Sequence, residues 1–185
     1  MNNNELFNLG FLKNIPMGKV EFEDENGEFI DANEESKKKL NYMINLINEN
    51  KEKFENWIIA SCSSAINYDY CVGDAEEEDD FFEQCFKPYL LQEMTREEYQ
   101  KNVELIEKRT YEEAKKSDNF FLEKSMKYAQ EMRKIFDYDK FFANNLVQGI
   151  VVGNEFSIEI SDYDLIIDPI VIEFNYDLEV ENVYT

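Results

Sequence analysis

Phe156-Ser157-Ile158-Glu159-Ile160-Ser161-Asp162 alternates apolar and polar residues, and Ile172-Glu173-Phe174-Asn175-Tyr176-Asp177-Leu178-Glu179-Val180-Glu181 does so again. A period of two sends successive side chains to opposite faces of an extended chain. Both stretches therefore read as strands with one face in a core and the other in solvent. They predict a half-buried antiparallel sheet in the C-terminal part of the chain, over 146–183.

Upstream the period changes. The apolar residues Leu40, Met43, Ile44, Ile47, Phe54, Trp57 and Ile58 recur at three- and four-residue spacing, which predicts a helix from about 33 to 65, capped by Asp31 or Asn33 and broken near Asn48–Asn50. Thr95 followed by Glu98 has the spacing of a capping box and opens a helix to about Lys116; Ser117 is the expected cap of another reaching about Phe136. Pro88 is expected to start or interrupt a helical turn. Ahead of all these, Asn26-Gly27 stands between alternating segments in 18–31 and predicts a β-hairpin on a two-residue turn. The expected architecture is α+β: an N-terminal hairpin, a helical middle of three to four helices and a C-terminal antiparallel sheet. With no repeat and no Gly/Ser/Pro linker in its 185 residues, the chain is expected to form one compact domain, with a helical lobe over 33–136 and a β lobe over 146–183.

Composition narrows function by exclusion. The 41 Asp and Glu against 19 Lys and Arg give a formal net charge of −22, which opposes direct binding of nucleic acid or an anionic membrane. Aromatic residues make up 15% of the chain, more than an acidic disordered segment carries, so the charge is expected on a folded body. With no histidine in the chain, Ser-His and Cys-His nucleophile pairs and His-containing zinc sites are closed to it. Cys62, Cys71 and Cys85 form no C-x-x-C pair and read as thiols of a reducing compartment; Cys62, at the end of an apolar helix, reads as a buried small side chain. The N-terminus carries no basic, apolar leader and no apolar run approaches the length of a bilayer span, so the expected location is cytoplasmic, in a bacterium or the host cell of a phage.

The acids are patterned. Residues 54–86 hold nine of them and no Lys or Arg, and 141–185 hold nine more beyond the last cation, Lys140. Two groups stand out as a surface for a basic partner. One is the run Asp74, Glu76, Glu77, Glu78, Asp79 and Asp80; the other is Glu159 with the outward row Glu173, Asp177, Glu179 and Glu181 of the last strand. Trp57, Tyr68, Tyr70, Phe81 and Phe82 near the acidic run have the composition of an interface patch, although core packing is the simpler reading.

Ser161-Asp162-Tyr163-Asp164-Leu165 resembles the S-D-x-D-L element of nucleotidyltransferases over about seven residues. The resemblance implies Asp162 and Asp164 as ligands of a divalent metal, with Glu173 or Asp177 as the third carboxylate, and nucleotidyl or phosphoryl transfer as the activity. The Gly-Ser turn that this family carries upstream is absent, and no cation after Lys140 could hold a triphosphate. A β-turn whose Asp residues bond their own backbone accounts for the same string. No phosphate-binding loop, dinucleotide fingerprint or nucleophile elbow occurs, so no cofactor is expected.

These readings converge on a non-enzymatic acidic protein that occupies a basic surface of a protein partner, such as the groove of a nucleic-acid-processing enzyme. Anti-CRISPR and anti-restriction proteins, nuclease-immunity proteins and DNA mimics exemplify the class. The metal-dependent transferase and a structural or assembly subunit are the alternatives.

Overall fold

The computed structural model describes residues 6–71, 80, 82–162 and 169–184, with the backbone alone at 14, 64, 65, 68–71, 145–148 and 162. The chain is α+β and divides into two compact units, one made of 1–55 and 142–185 and the other of 56–141.

The first unit begins with a two-stranded hairpin, β1 (Leu6–Leu9) and β2 (Leu12–Pro16). At its turn Gly10 has φ +54°, and a Cβ there would lie 3.0 Å from side-chain atoms of both Phe54 and Glu55, so backbone sign and crowding each require glycine. β3 (Val20–Glu23) and β4 (Phe29–Ile30) form the expected second hairpin. Its loop is longer than a two-residue turn, because Glu23 pairs with Phe29 and residues 24–28 close the end. Asp24 determines that length: its Oδ1 accepts from the N–H of Asn26 at 2.8 Å and of Glu28 at 3.1 Å, while Gly27 supplies φ +78°. Those backbone hydrogen bonds hold the Asp24 carboxyl below its ordinary pKa.

Helix α1 (Glu34–Glu49) starts at Asn33, whose side chain accepts from the N–H of Glu35 and Ser36, while Ser36 Oγ accepts from Asn33 N–H. It stops at Asn50, the expected break, and α2 (Lys51–Cys71) follows at once. The unit boundary falls inside α2, after Glu55.

The sheet core of this unit is the meander β5 (Leu146–Val152), β6 (Phe156–Asp162), β7 (Ile170–Phe174) and β8 (Val180–Tyr184), antiparallel throughout as the alternation requires. The sheet as a whole is mixed, because β3 lies parallel against β5 and extends the order to β4-β3-β5-β6-β7-β8. The expectation of a purely antiparallel sheet fails at that one junction, which no local pattern announces: Phe22 pairs with Val152, 130 positions further along the chain. Ile150, Val152, Phe156, Ile158, Ile160, Ile170, Ile172 and Phe174 are buried on the inner face, together with Leu40, Met43 and Ile47 of α1. Phe54 meets Phe174 at 5.6 Å between ring centroids, and Phe11 stacks on Phe142 at 4.7 Å.

The expected single strand through 172–181 is a hairpin. Asn175 turns the chain by accepting on Oδ1 from the N–H of Asp177 and Glu179, and Leu178 takes φ +60° with its side chain buried. A left-handed leucine costs about 1–2 kcal/mol, and burying it offsets that by about 1.5–3 kcal/mol. The alternation of sequence continues across the turn, which is why pattern alone does not reveal it.

The second unit is helical. Among the described residues the chain has six helical segments beside short 3-10 turns, more than the three to four expected. They are α1, α2, a π-helical turn (Phe82–Phe86), α3 (Arg96–Ala114), α4 (Phe120–Met132) and α5 (Tyr138–Asn145). The capping box of Thr95 and Glu98 opens α3, and Pro88 sits in a 3-10 turn, both as expected. Ser117 does not cap α4. That position is Asn119, and Ser117 Oγ accepts from its N–H instead. Phe86 stacks on Phe136 at 4.4 Å and meets Tyr99 edge-on at 5.0 Å. Tyr99 donates to Asn67 Oδ1 at 2.7 Å, and Asn67 Nδ2 donates to Tyr128 at 3.0 Å, which satisfies the polar ends of two buried tyrosines. Trp57 and Phe82 are buried, so these two members of the candidate aromatic patch belong to the core. No helix of the described residues is long and apolar enough to cross a membrane.

Candidate functional site

The pairing register determines which carboxylates share a surface. Glu21 lies opposite Val151, Val151 opposite Ser157, Ser157 opposite Glu173 and Glu173 opposite Asn182, one line across five strands. The next line runs Gly149, Glu159, Val171 and Tyr184, and Glu23 faces Phe29 at the β4 edge. All of these belong to the face opposite Phe22, Ile158 and Ile172, the solvent side of the sheet. With strands about 4.8 Å apart, Glu21 and Glu173 are about 14 Å apart and the face is about 24 Å wide.

No Lys or Arg occurs in β3 to β8; Lys19, just before β3, is the nearest cation in sequence. Between the acids lie small or half-buried residues: Gly149, Val151, Ser157 and Val171. The Glu159 side chain lies over Gly149: a Cβ at 149 would stand 3.6 Å from Glu159 Oε2, an ordinary contact. An exposed aromatic stands at each edge, Phe29 on β4 and Tyr184 on β8, at 66% and 50% exposure. The result is an anionic field with an exposed aromatic side chain at either edge.

Glu173 is held in place. Its Oε2 accepts from Asn182 Nδ2 at 2.8 Å and from the Tyr184 hydroxyl at 2.9 Å. The hydrogen bond to Glu173, then loss of solvent, then the charges of Glu173 and Glu155 raise the Tyr184 phenol above its ordinary pKa. Beyond Gly153 the Tyr176 hydroxyl donates to the Gly153 carbonyl at 2.9 Å, as does Lys39 Nζ at 3.0 Å. Burial, aided by the Glu155 charge, pushes the Tyr176 phenol up to about 12. Beside this turn a cavity of about 320 Å³ is lined by Glu23, Asp24, Glu25 and Glu35 with Lys39 as its one cation.

Of the acids singled out in sequence, Glu159 and Glu173 lie on this face. Asp177, Glu179 and Glu181 do not continue the row, because the hairpin intervenes. Asp177 is exposed in the turn, Glu179 pairs with Lys53, and Glu181 accepts from Asn175 at 3.1 Å. Asp80 is exposed in the helical unit, and Asp74, Glu76, Glu77, Glu78 and Asp79 lie outside the described residues. The segments are also less bare than they read: Lys51 approaches Glu55 at 3.5 Å, and Lys87 pairs with Glu83 at 2.9 Å.

The sequence reading missed Glu21 and Glu23. Their alternation with Val20 and Phe22 was legible as a hairpin strand, but nothing local says that this strand borders β5. Glu155, between β5 and β6, is a further acid of the cation-free segment 141–185.

For the nucleotidyltransferase-like element, Asp164 and the side chain of Asp162 lie outside what is described, and Glu173 is engaged by Asn182 and Tyr184. Among the described residues no group of three or more candidate ligands could hold a metal ion. Cys62 is fully buried, and desolvation alone pushes its thiol up to about 12, far from a thiolate nucleophile.

Comparison of the chain with protein-family models, with curated proteins and with solved structures finds no match.

Proposed function

We propose that this protein is a non-enzymatic inhibitor or sequestering protein of the cytoplasm that sets the outer face of its sheet against a basic, nucleic-acid-binding surface of a protein partner. The observation that carries the reading is the cation-free face itself. Glu21, Glu23, Glu159 and Glu173 come from three different strands, β3, β6 and β7, and share one surface, and no strand of that sheet supplies a Lys or Arg to neutralise them.

Charge density separates two forms of the idea. Duplex DNA carries one charge per about 1.7 Å of axis. Even with Glu155 included, the face carries about one per 5 Å of its width. That is too sparse to reproduce a phosphate backbone, yet enough to compete for a basic groove by steering and then by contact with Phe29 and Tyr184. The protein therefore acts as an occupant of the groove, with mimicry of DNA limited to the sign of its charge.

The test is affinity capture from a nuclease-treated bacterial lysate, followed by elution with rising salt and with excess DNA. The expected result is one basic nucleic-acid enzyme, released by either, and lost when Glu21 and Glu159 are both changed to Lys. Capture that is indifferent to salt and to the double reversal overturns the assignment.

A further inference from the structure

The sheet has two edges, and they differ. β4 offers two residues, too few for more than one pair of ladder hydrogen bonds, whereas β8 offers five. No described strand pairs with the outer side of β8. Long open edges are ordinarily blunted by Lys, by Pro, by bulges or by brevity; β8, Val180-Glu181-Asn182-Val183-Tyr184, has neither residue and is of average strand length, and its register with β7 shifts once, at Glu181, which leaves Asn182-Val183-Tyr184 as the regular stretch of the edge. Its last four residues are exposed.

The side chains beside that edge say what could join it. On the solvent side of the sheet stand Tyr184 and Glu173, and Glu173 Oε1 receives no hydrogen bond from the described residues, since Asn182 and Tyr184 both bind Oε2. On the core side stands Val183, opposite the buried Ile172 but itself 43% exposed, an apolar step at the margin of the core. A strand laid along β8 would meet negative charge on one side and an apolar surface on the other, alternating with the strand period.

We propose that β8 accepts an extended segment of a basic partner protein as an added strand, with Lys or Arg at alternate positions facing Glu173 and apolar residues between them facing Val183. Backbone hydrogen bonds along the open edge supply affinity, and the two alternating rows supply register. A second copy of this chain is a poor occupant, because each copy carries a net charge of −22 and brings no cation in its own β8. The proposal rests on the anionic-face reading and adds to it the element of the partner that docks.

The probe is a seven-residue peptide alternating Lys and Val, titrated into the full-length protein at about 20 mM salt and followed by amide NMR shifts and hydrogen exchange. A second peptide carries the same charges but is N-methylated at alternate residues, so that one edge cannot donate. The expected result is slowed exchange of β8 amides with the first peptide and binding weaker by about tenfold with the second, the loss of one to two net backbone hydrogen bonds. Equal binding of both peptides, with shifts spread over residues 21, 159 and 173 and none at β8, overturns the edge proposal and leaves the anionic face standing. No binding of either peptide overturns both. Protected β8 amides in the free protein, together with a dimer mass by light scattering, overturn it in favour of self-pairing.

Discussion

If the outer face is kept acidic for a partner, its charges should cost the folded state a measurable amount, and Glu159 is the place to measure it. Glu159 and Glu173 are diagonal neighbours on β6 and β7, since Glu159 pairs with Val171 and Ser157 with Glu173. Diagonal positions lie about 7–8 Å apart, and Glu159 leans over Gly149, away from β7, which places the two charges at about 9 Å. In water their repulsion is about 0.5 kcal/mol, screened to about 0.35 kcal/mol at 0.01 M salt and about 0.15 kcal/mol at 0.15 M. Changing Glu159 to Lys replaces repulsion with attraction and doubles the effect. The variant should therefore be more stable than the parent by about 0.7 kcal/mol at the lower salt and about 0.3 kcal/mol at the higher, with Glu159→Gln giving half of each. Urea unfolding followed by the fluorescence of Trp57, the sole tryptophan, reads this at both salt concentrations, and urea adds no ions of its own. A destabilised Glu159→Lys protein, or a gain that does not shrink with salt, would refute the reasoning. It would mean that Glu159 is held by a structural contact and is not a free surface charge.

Leu178 is buried at φ +60°, so Leu178→Ala should lose about 2–5 kcal/mol of core burial, and Leu178→Gly, which relieves the left-handed strain, should be no less stable than the alanine variant; urea midpoints rank the two. Asn33→Ala removes the acceptor for two N–H groups at the start of α1 and should cost about 0.5–2 kcal/mol, seen as a lower thermal midpoint. The Tyr176 phenol stands at about 12 in the folded protein against 10.0 for its ordinary value, so its contribution to stability is complete below pH 10 and is lost as pH rises through 12. In Tyr176→Phe that part of the alkaline decline should vanish, and tyrosinate absorbance across the same range should lose one late-titrating group.

Helix boundaries were the most legible part of the chain, because capping chemistry is local. Asn33, Asn50, Thr95 with Glu98, and Pro88 act within four residues of themselves, and each does in the structure what its spacing implies. The strand faces were legible for the same reason, since Phe156, Ile158, Ile160, Ile170, Ile172 and Phe174 are all buried. Where a long-range contact competes with a local pattern, the pattern misleads. Alternation through 172–181 hid a hairpin because Leu178, pointing inward as a strand residue would, does so from a left-handed turn. Glu179 and Glu83 looked uncompensated until Lys53 and Lys87 reached them.

The candidate site was half legible. Glu159 and Glu173 declared themselves as outward residues of amphipathic strands, and the absence of histidine and the net charge of −22 narrow the expected function by exclusion. Residue order and composition were enough for the elements, for which face of each strand is apolar and for the sign of the surface charge, because propensity, capping and side-chain alternation act over a few residues. Tertiary structure alone assembled the surface. The parallel pairing of β3 with β5 brings Glu21 and Glu23 beside Glu159 and Glu173 and leaves β8 as the open edge, and such a pairing depends on burying two distant apolar faces together, a free energy that no short stretch of sequence contains.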